Sequence, residues 1–171
     1  MKPITIISCV FLSFSYSFAQ SLETDSLSKA NISKLDFLVG DWKGNGWMFG
    51  QNRQRHEFEQ TEDIQFKLDG TAILIEGLGK SEGKVIHNAL ALITYDKKEG
   101  IYNFSSYLSN GRKGDFNAEL IHKKFYWYPM ENMRYIIEIS ETGQWFEIGE
   151  YNQGDNWNKF FEMTLEKIKD N

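Results

Sequence analysis

The feature that most constrains the fold is a regular alternation of residue types over residues 55–68. Every second position from His56 to Leu68 forms one face that holds most of the apolar side chains, and the other face is almost entirely polar. A period of two residues is that of a β-strand, so the first face is predicted to point into a core. Asp69-Gly70 follows directly and is typical of a two-residue hairpin turn.

The same alternation recurs along the chain, interrupted by short turns. Further hairpins are indicated by residues 81–83, residues 96–100, Asn110-Gly111, Thr142-Gly143 and Gly154-Asp155. Strands at this spacing, each joined to the next by a hairpin, predict an all-β fold. Up-and-down order with such short turns favours a closed antiparallel barrel of roughly nine or ten strands over a Greek-key sandwich.

A short amphipathic turn of helix precedes the first strand. Leu35, Leu38 and Val39 lie on one side of it, and the chain then passes Gly40 into a strand that begins with Trp42. Such a helix is too short to be stable alone. We therefore expect it to be a plug whose apolar side closes one end of the barrel. A barrel of this size either packs its interior or keeps a cavity for one ligand.

The first residues are typical of an export signal. Lys2 precedes a mostly apolar run over residues 4–18, and residues 17–19 place small side chains at the two positions that a signal peptidase reads. The apolar run is shorter than the roughly 20 residues that a membrane span requires, so no stable span is predicted. The single cysteine, Cys9, lies in this segment, so the mature protein is predicted to begin at Gln20 and to offer no thiolate nucleophile.

The predicted organisation has three parts. Residues 1–19 form the signal peptide, residues 20–31 are a flexible polar leader, and residues 32–171 form the barrel domain. The predicted location is the periplasm or the exterior. The net charge of −5, with Lys and Arg scattered among acidic residues, argues against a nucleic-acid partner, which would need clustered cations.

Residues 35–44, Leu-Asp-Phe-Leu-Val-Gly-Asp-Trp-Lys-Gly, resemble the opening signature of calycin-like barrels, a class that includes the lipocalins. They are similar to the domain of unknown function 1579 family and to nitrobindin. Residues 93–98 with Tyr102 resemble the Tyr-Asp turn of the first family, as does the C-terminal series from residue 143 to residue 162. The resemblance implies a secreted barrel of unassigned function that binds something small and apolar.

Similarity to nitrobindin would imply a haem held by a proximal His on the last strands. Residues 152–171 contain no His, and residues 157–163 at that place read Trp-Asn-Lys-Phe-Phe-Glu-Met. Met163 could act as an axial ligand in principle, but a lone Met on an apolar strand is more often part of the core. We therefore predict no cofactor.

Polar side chains on the inward face of residues 55–68 are the first candidate ligand-binding residues. They are His56, Gln60 and Glu62. Burying them unpaired is costly, so they pair with one another, lie near an open end or contact a ligand. No histidine stands in a His-x-His or His-x-x-x-His pair, so no metal site is predicted.

Glu76 and Arg134 are the second pair of candidates. Glu76 interrupts an apolar face between Leu74 and Leu78. If it is buried it needs a cation, and Arg134 could supply one as a structural salt bridge. Arg134 could alternatively hold an anionic head group through its planar fork.

Aromatic residues either line a cavity or fill it, and three are candidates for its walls: Trp47, Tyr107 and Trp127. Neighbouring positions of a strand face opposite ways, so Trp127 cannot share a side with Tyr126 and Tyr128.

The leading interpretation is a non-catalytic exported barrel that binds a small hydrophobic or amphipathic ligand. Two alternatives stay open. One is an isomerase or hydrolase with His56 or Glu76 as general base, and the other is a packed barrel whose exposed aromatic edge binds a protein. No nucleophile elbow or phosphate-binding loop is present, and Glu147 and Glu150 fall on opposite faces of a strand. No catalytic residue is therefore assigned.

Overall fold

The computed structural model describes residues 23–50 and 52–168, and the predicted signal peptide lies outside them. Ten antiparallel strands follow a helix α1, Ser26–Ile32, and a 3₁₀ helix, Ser33–Leu38. The strands are β1 Gly40–Phe49, β2 Arg55–Lys67, β3 Ala72–Ser81, β4 Lys84–Asp96, β5 Ile101–Leu108, β6 Lys113–Ile121, β7 Lys124–Met130, β8 Met133–Ile139, β9 Trp145–Gln153 and β10 Asn156–Lys167. Each strand pairs with the next, and β1 also pairs with β10. The predicted up-and-down barrel is confirmed.

The barrel closes where β1 meets β10, with Gly44 opposite Leu165. A Cβ atom at Gly44 would lie 2.1 Å from the carbonyl oxygen of Thr164. Only glycine allows the two backbones to approach this closely without a shift. A residue without a side chain is thus needed at the seam that turns the sheet into a barrel.

The N-terminal plug is confirmed and is longer than the sequence indicates. Ile32, Leu35 and Leu38 are each 0% exposed. The indole of Trp42 donates a hydrogen bond of 2.9 Å to the carbonyl oxygen of Leu38, which ties the plug to β1. The phenol of Tyr102 on β5 donates one of 2.9 Å to another plug carbonyl, that of Asn31.

The leader predicted over residues 20–31 overlaps α1, since the chain is helical from Ser26 onward. The carboxylate of Asp25 accepts hydrogen bonds from the backbone N–H groups of Leu27 and Ser28. These bonds satisfy donors that every helix start leaves free, so Asp25 is an N-cap. The polar composition of this stretch reflects a capped surface helix.

The face of β2 predicted to point inward does so only in its middle. Phe58, Gln60, Glu62 and Ile64 are buried, whereas His56, Phe66 and Leu68 at the two ends are exposed. The ends are exposed because β2, with 13 residues, extends beyond the buried interior at both ends of the barrel. The turn after it also begins one residue earlier than predicted, at Leu68.

Among the helices of residues 23–50 and 52–168, none is both long enough and apolar enough to cross a membrane.

Candidate functional site

The inside of the barrel has one wall of small residues. They lie on β3, β4 and β5, on the face of the sheet that points inward: Gly77, Gly79, Ala89, Ala91 and Ser106. The side chains of Ala89, Ala91 and Ser106 extend little into the interior, whereas the space in front of Gly77 and Gly79 is taken by the side chains of Glu62 and Gln60.

A row of aromatic rings crosses the interior and faces the small wall. Phe104 stacks on Trp127 with ring centroids 4.6 Å apart, and Trp127 stacks on Tyr135 at 4.4 Å. Tyr135 meets Phe161 edge-on at 5.5 Å, and Phe161 stacks on Phe58 at 5.7 Å. Stacked and edge-to-face pairs at these distances are mutually stabilising, so the row forms a pre-organised apolar surface.

The aromatic row is not completely covered. Trp127, Tyr135 and Phe161 point inward but are half-buried, so part of their surface faces a space that water reaches. The plug covers one end of the barrel, and the access is therefore at the other, where β1, β3 and β5 end. We call the space between the small wall and the aromatic row the chamber, and this end of the barrel the open end.

Glu62 is a buried carboxyl group in the chamber. The side-chain amide of Gln60 donates a hydrogen bond of 2.7 Å to its Oε1 atom, while its Oε2 atom is buried without a partner. A Cβ atom at Gly77 would lie 2.8 Å from that Oε2 atom, and one at Gly79 would lie 2.6 Å from Gln60 Oε1. The two glycines therefore make the room that the two polar side chains occupy.

Glu147 is a second buried carboxyl group, on β9. It is 7% exposed, and the indole of Trp145 donates a hydrogen bond of 3.3 Å to its Oε2 atom. Its strand neighbour on β10 is Met163, and Met163 also lies opposite Gly46 on β1. A Cβ atom at Gly46 would lie 2.4 Å from the ring of Phe58, so the Phe58 side chain of β2 fills the space that this glycine leaves.

The two carboxyl groups hold protons more tightly than ordinary glutamates do. Burial raises the pKa of Glu62 to about 7, against the opposing hydrogen bond from Gln60. Burial and the charge of Glu62 raise the pKa of Glu147 to about 8, and the indole hydrogen bonds only partly oppose them. None of the ion pairs within the described ranges includes either residue. Near neutral pH the two carboxyl groups are therefore at least partly protonated, and no cation among the described residues forms an ion pair with them.

Three of the predicted ligand-binding residues lie in the interior: Gln60, Glu62 and Trp127. Tyr126 and Tyr128 stack on each other, apart from the Trp127 stack, as the alternation predicts. His56 is exposed at the open end, beside a polar concavity of about 440 Å³.

The other four predicted residues lie on the outer face of the barrel. Trp47 donates a hydrogen bond from its indole to Glu162, and Tyr107 is 48% exposed. Neither forms a wall of the chamber. Both belong to the alternate set of strand positions, which points away from the interior.

Glu76 and Arg134 do not form the pair considered from the sequence. Glu76 is exposed on β3, and Arg134 on β8 binds Glu150 instead, with an N–O distance of 2.7 Å. The guanidinium also lies 4.0 Å from the ring centroid of Trp157. Because Glu76 keeps its hydration on the outer face, it needs no cation.

Glu147 and Tyr135 are interior residues that the sequence reasoning missed. The alternation of β9 contained a signal, since Glu147 shares its face with Trp145 and Gly149. Its neighbour Glu150 points outward to Arg134, which confirms that the two glutamates cannot act as a pair. Glu147 lies near Glu62 only because the barrel closes, so the sequence of neither strand predicts that the two residues are close.

The histidines do not converge. His56, His87 and His122 are all exposed over the whole residue, although His87 lies on the inward face of β4 opposite Gly79 and burial of its ring lowers its pKa. Within the part of the chain that the structure describes, no group of three His, Cys, Asp or Glu side chains is arranged to hold a metal ion.

A closed ten-stranded antiparallel barrel with an N-terminal plug fits the fold of the calycin-like barrels. Solved structures share this fold. Rv2717c from M. tuberculosis matches with a TM-score of 0.59 and 9% identity, over 81% of this chain and 97% of that one. The S-type phycobiliprotein lyase CPES from Guillardia theta matches with a TM-score of 0.58 and 12% identity, over 88% of this chain and 100% of that one. No family model and no curated protein matches the sequence, so the likeness establishes the fold alone.

Proposed function

We propose that the protein is an exported, non-catalytic carrier whose chamber binds a small hydrophobic or amphipathic ligand. The observation that carries the proposal is the row of inward-pointing but half-buried rings facing a wall of glycine, alanine and serine. Ligand sites are typically concave and mostly apolar, with a few polar groups that fix orientation. Here Gln60 and Glu62 are the polar groups.

Exposed aromatic surface supports binding on energetic grounds. Covering apolar surface is worth about 25 cal/mol per Å², and a ligand that packs against the solvent-accessible edges of Trp127 and Tyr135 would remove such surface from water. The rings are already held by their neighbours in the row, so binding would cost little side-chain entropy.

A haem is not part of the proposal. On the last strand, where nitrobindin would place its proximal His, this chain has Met163, which is 4% exposed and packs in the core. The resemblance to the domain of unknown function 1579 family adds neither a function nor a residue assignment to the proposal.

The proposal is tested with Nile red, a neutral dye whose emission rises in apolar surroundings. Ser106 points into the chamber, whereas Ser105 points outward and bonds to Asp115 on β6. Ser106→Phe should fill the chamber and abolish the emission increase, while Ser105→Phe should leave it unchanged. Circular dichroism checks that both variants fold. Equal dye binding by the two variants, or none by the parent protein, would overturn the proposal.

Export rests on the sequence of residues 1–19, which are outside the described residues. The expected outcome is a mature chain that begins at Gln20 and is released by osmotic shock of the cells. Amino-terminal sequencing of the released protein checks this. A chain that retains Met1 would contradict it.

A protein-interaction role is the second candidate. On the outer face of β4 and β5, Val85, Ile86, Leu90 and Tyr107 are 39–55% exposed, and grouped apolar surface of this kind marks interaction sites. The catalytic alternative loses its two candidate bases, because His56 lies at the rim and Glu76 on the outer face. Absence of Nile red binding would favour the interaction role over the carrier role.

A further inference from the structure

Two acidic groups remain in the interior after the apolar surface has been assigned to ligand binding. Glu62 is 8% exposed and Glu147 is 7% exposed. Buried carboxyl groups are costly unless they are fully hydrogen-bonded or paired. Apolar residues at both positions would give a more stable barrel, so a structural role does not explain them.

The Oε2 atom of Glu62 shows that the local hydrogen bonding is incomplete. Gln60 satisfies Oε1, but Oε2 is buried with no donor. Buried unpartnered polar atoms are rare in folded proteins, and a donor on a ligand would complete the hydrogen bonding of this oxygen. The glycines at 77 and 79 give Glu62 and Gln60 room, so the carboxyl group packs against the small wall.

The described residues beside the pair include no lysine or arginine in register with it. The register partners of Glu62 are Trp42 and Gly77, those of Glu147 are Met163 and Ile137, and Tyr135 lies near Glu147. His87 on β4 also faces inward, opposite Gly79, and burial lowers its pKa, which favours the neutral imidazole. Arg55 and Arg134 form ion pairs with outer-face glutamates, so neither is a cationic partner of the pair.

We propose that Glu62, supported by the charge of Glu147, binds the protonated amino group of a ligand whose apolar part packs against the solvent-accessible edges of Trp127 and Tyr135. This inference rests on the proposed carrier function and specifies its ligand as an aromatic or polycyclic amine. An ammonium group carries three donors and no acceptor, so it can donate to the Glu62 oxygen that lacks a partner. A neutral hydroxyl can donate only once, and the ionised glutamates would repel a carboxylate ligand.

Three indoles with the same ring and different side groups test the inference: tryptamine, a cation; tryptophol, a neutral alcohol; and indole-3-acetate, an anion. Binding is measured by isothermal titration calorimetry at pH 9, above the pKa of about 7 for Glu62 and about 8 for Glu147, so that both carboxyl groups are ionised. Charge-assisted hydrogen bonds are roughly twice as strong as neutral ones. Tryptamine should therefore bind at least about tenfold more tightly than tryptophol, and indole-3-acetate should bind most weakly.

Substitutions then locate the effect. Glu62→Gln should reduce the preference for tryptamine over tryptophol to about twofold while tryptophol still binds. Glu76→Gln, on the exposed outer face, should leave the preference unchanged. Glu147→Gln is the second variant in case Glu62→Gln fails to fold, and it should reduce the preference in the same direction. Preference retained in both interior variants would overturn the assignment.

The failures of the inference and of the carrier function are distinguishable. Equal binding of tryptamine and tryptophol by the parent protein would overturn the amine inference and leave the carrier function standing. Binding of none of the three indoles, together with no Nile red signal, would overturn both.

Discussion

At the scale of single residues, the account depends on two glutamates in the interior of a barrel. Alternation along β2 predicts that Glu62 points inward, and the structure confirms its burial. Alternation cannot predict which residues surround Glu62. Gln60 donates a hydrogen bond to one carboxyl oxygen, and the missing side chain of Gly77 leaves space for the group. Glu147, 85 positions further along the chain, lies near Glu62 only because β1 pairs with β10 and closes the sheet.

The raised pKa values make stability depend on pH. Both groups bind protons more tightly when folded than their model value of 4.5, so the folded state holds more protons between that value and the folded pKa. The stabilising contribution is complete below about pH 4.5 and is lost as pH rises through about 7 for Glu62 and about 8 for Glu147. For Glu62 alone the loss is roughly 3 kcal/mol, from about 1.4 kcal/mol per unit.

We therefore predict that the free energy of unfolding falls between pH 5 and pH 9. Glu147→Gln, which cannot ionise, should make the fall shallower and should be more stable than the parent protein at pH 9. Urea unfolding followed by tryptophan fluorescence measures both. Glu76→Gln is the control and should parallel the parent curve. A Glu147→Gln curve that also parallels the parent would contradict the buried, protonated state.

At the scale of elements, the plug shows how a short segment is stabilised by what it covers. A seven-residue helix has little stability of its own. Its end and the following 3₁₀ helix bury Ile32, Leu35 and Leu38 completely, and side chains of β1 and β5 bond to its carbonyl groups. Packing therefore supplies the stability that helix propensity does not.

The plug should accordingly be part of the cooperative fold. Leu35→Ala removes a fully buried side chain, and such substitutions cost about 2–5 kcal/mol. Asp36→Ala, next to it on the exposed side, should change stability by less than about 0.5 kcal/mol. Urea unfolding measures both values. If the two variants are equally stable, the segment does not pack on the barrel as described.

Elements were predicted better than sites, for a physical reason. Alternation and turn residues act over a few neighbours, and the hairpin signals at Asn110-Gly111 and Thr142-Gly143 correspond to turns in which both glycines have positive φ. To decide which alternate set of a strand faces inward, the sequence must contain one residue in that strand whose burial is certain. Trp47 and Tyr107 lie in strands without such a residue, so the sequence predicts them as cavity walls although they lie on the outer face. For the same reason it does not indicate Tyr135.

At the scale of the whole molecule, closure determines what the barrel can do. Consecutive pairing ends with β1 against β10, so two opposed walls of different character face one another. One is built from small residues and the other from stacked rings. The plug covers one end, which leaves the open end as the route for a ligand. The chamber is therefore a property of the closed sheet and of no single strand.

The most direct test of the central claim is native mass spectrometry of the protein purified from its own cells. The account predicts a species heavier than the protein chain by the mass of one small molecule. Ser105→Phe should retain this species, and Ser106→Phe should lose it. A parent protein with only the mass of its chain, and no added mass after incubation with Nile red or tryptamine, would contradict the claim that the chamber binds a ligand.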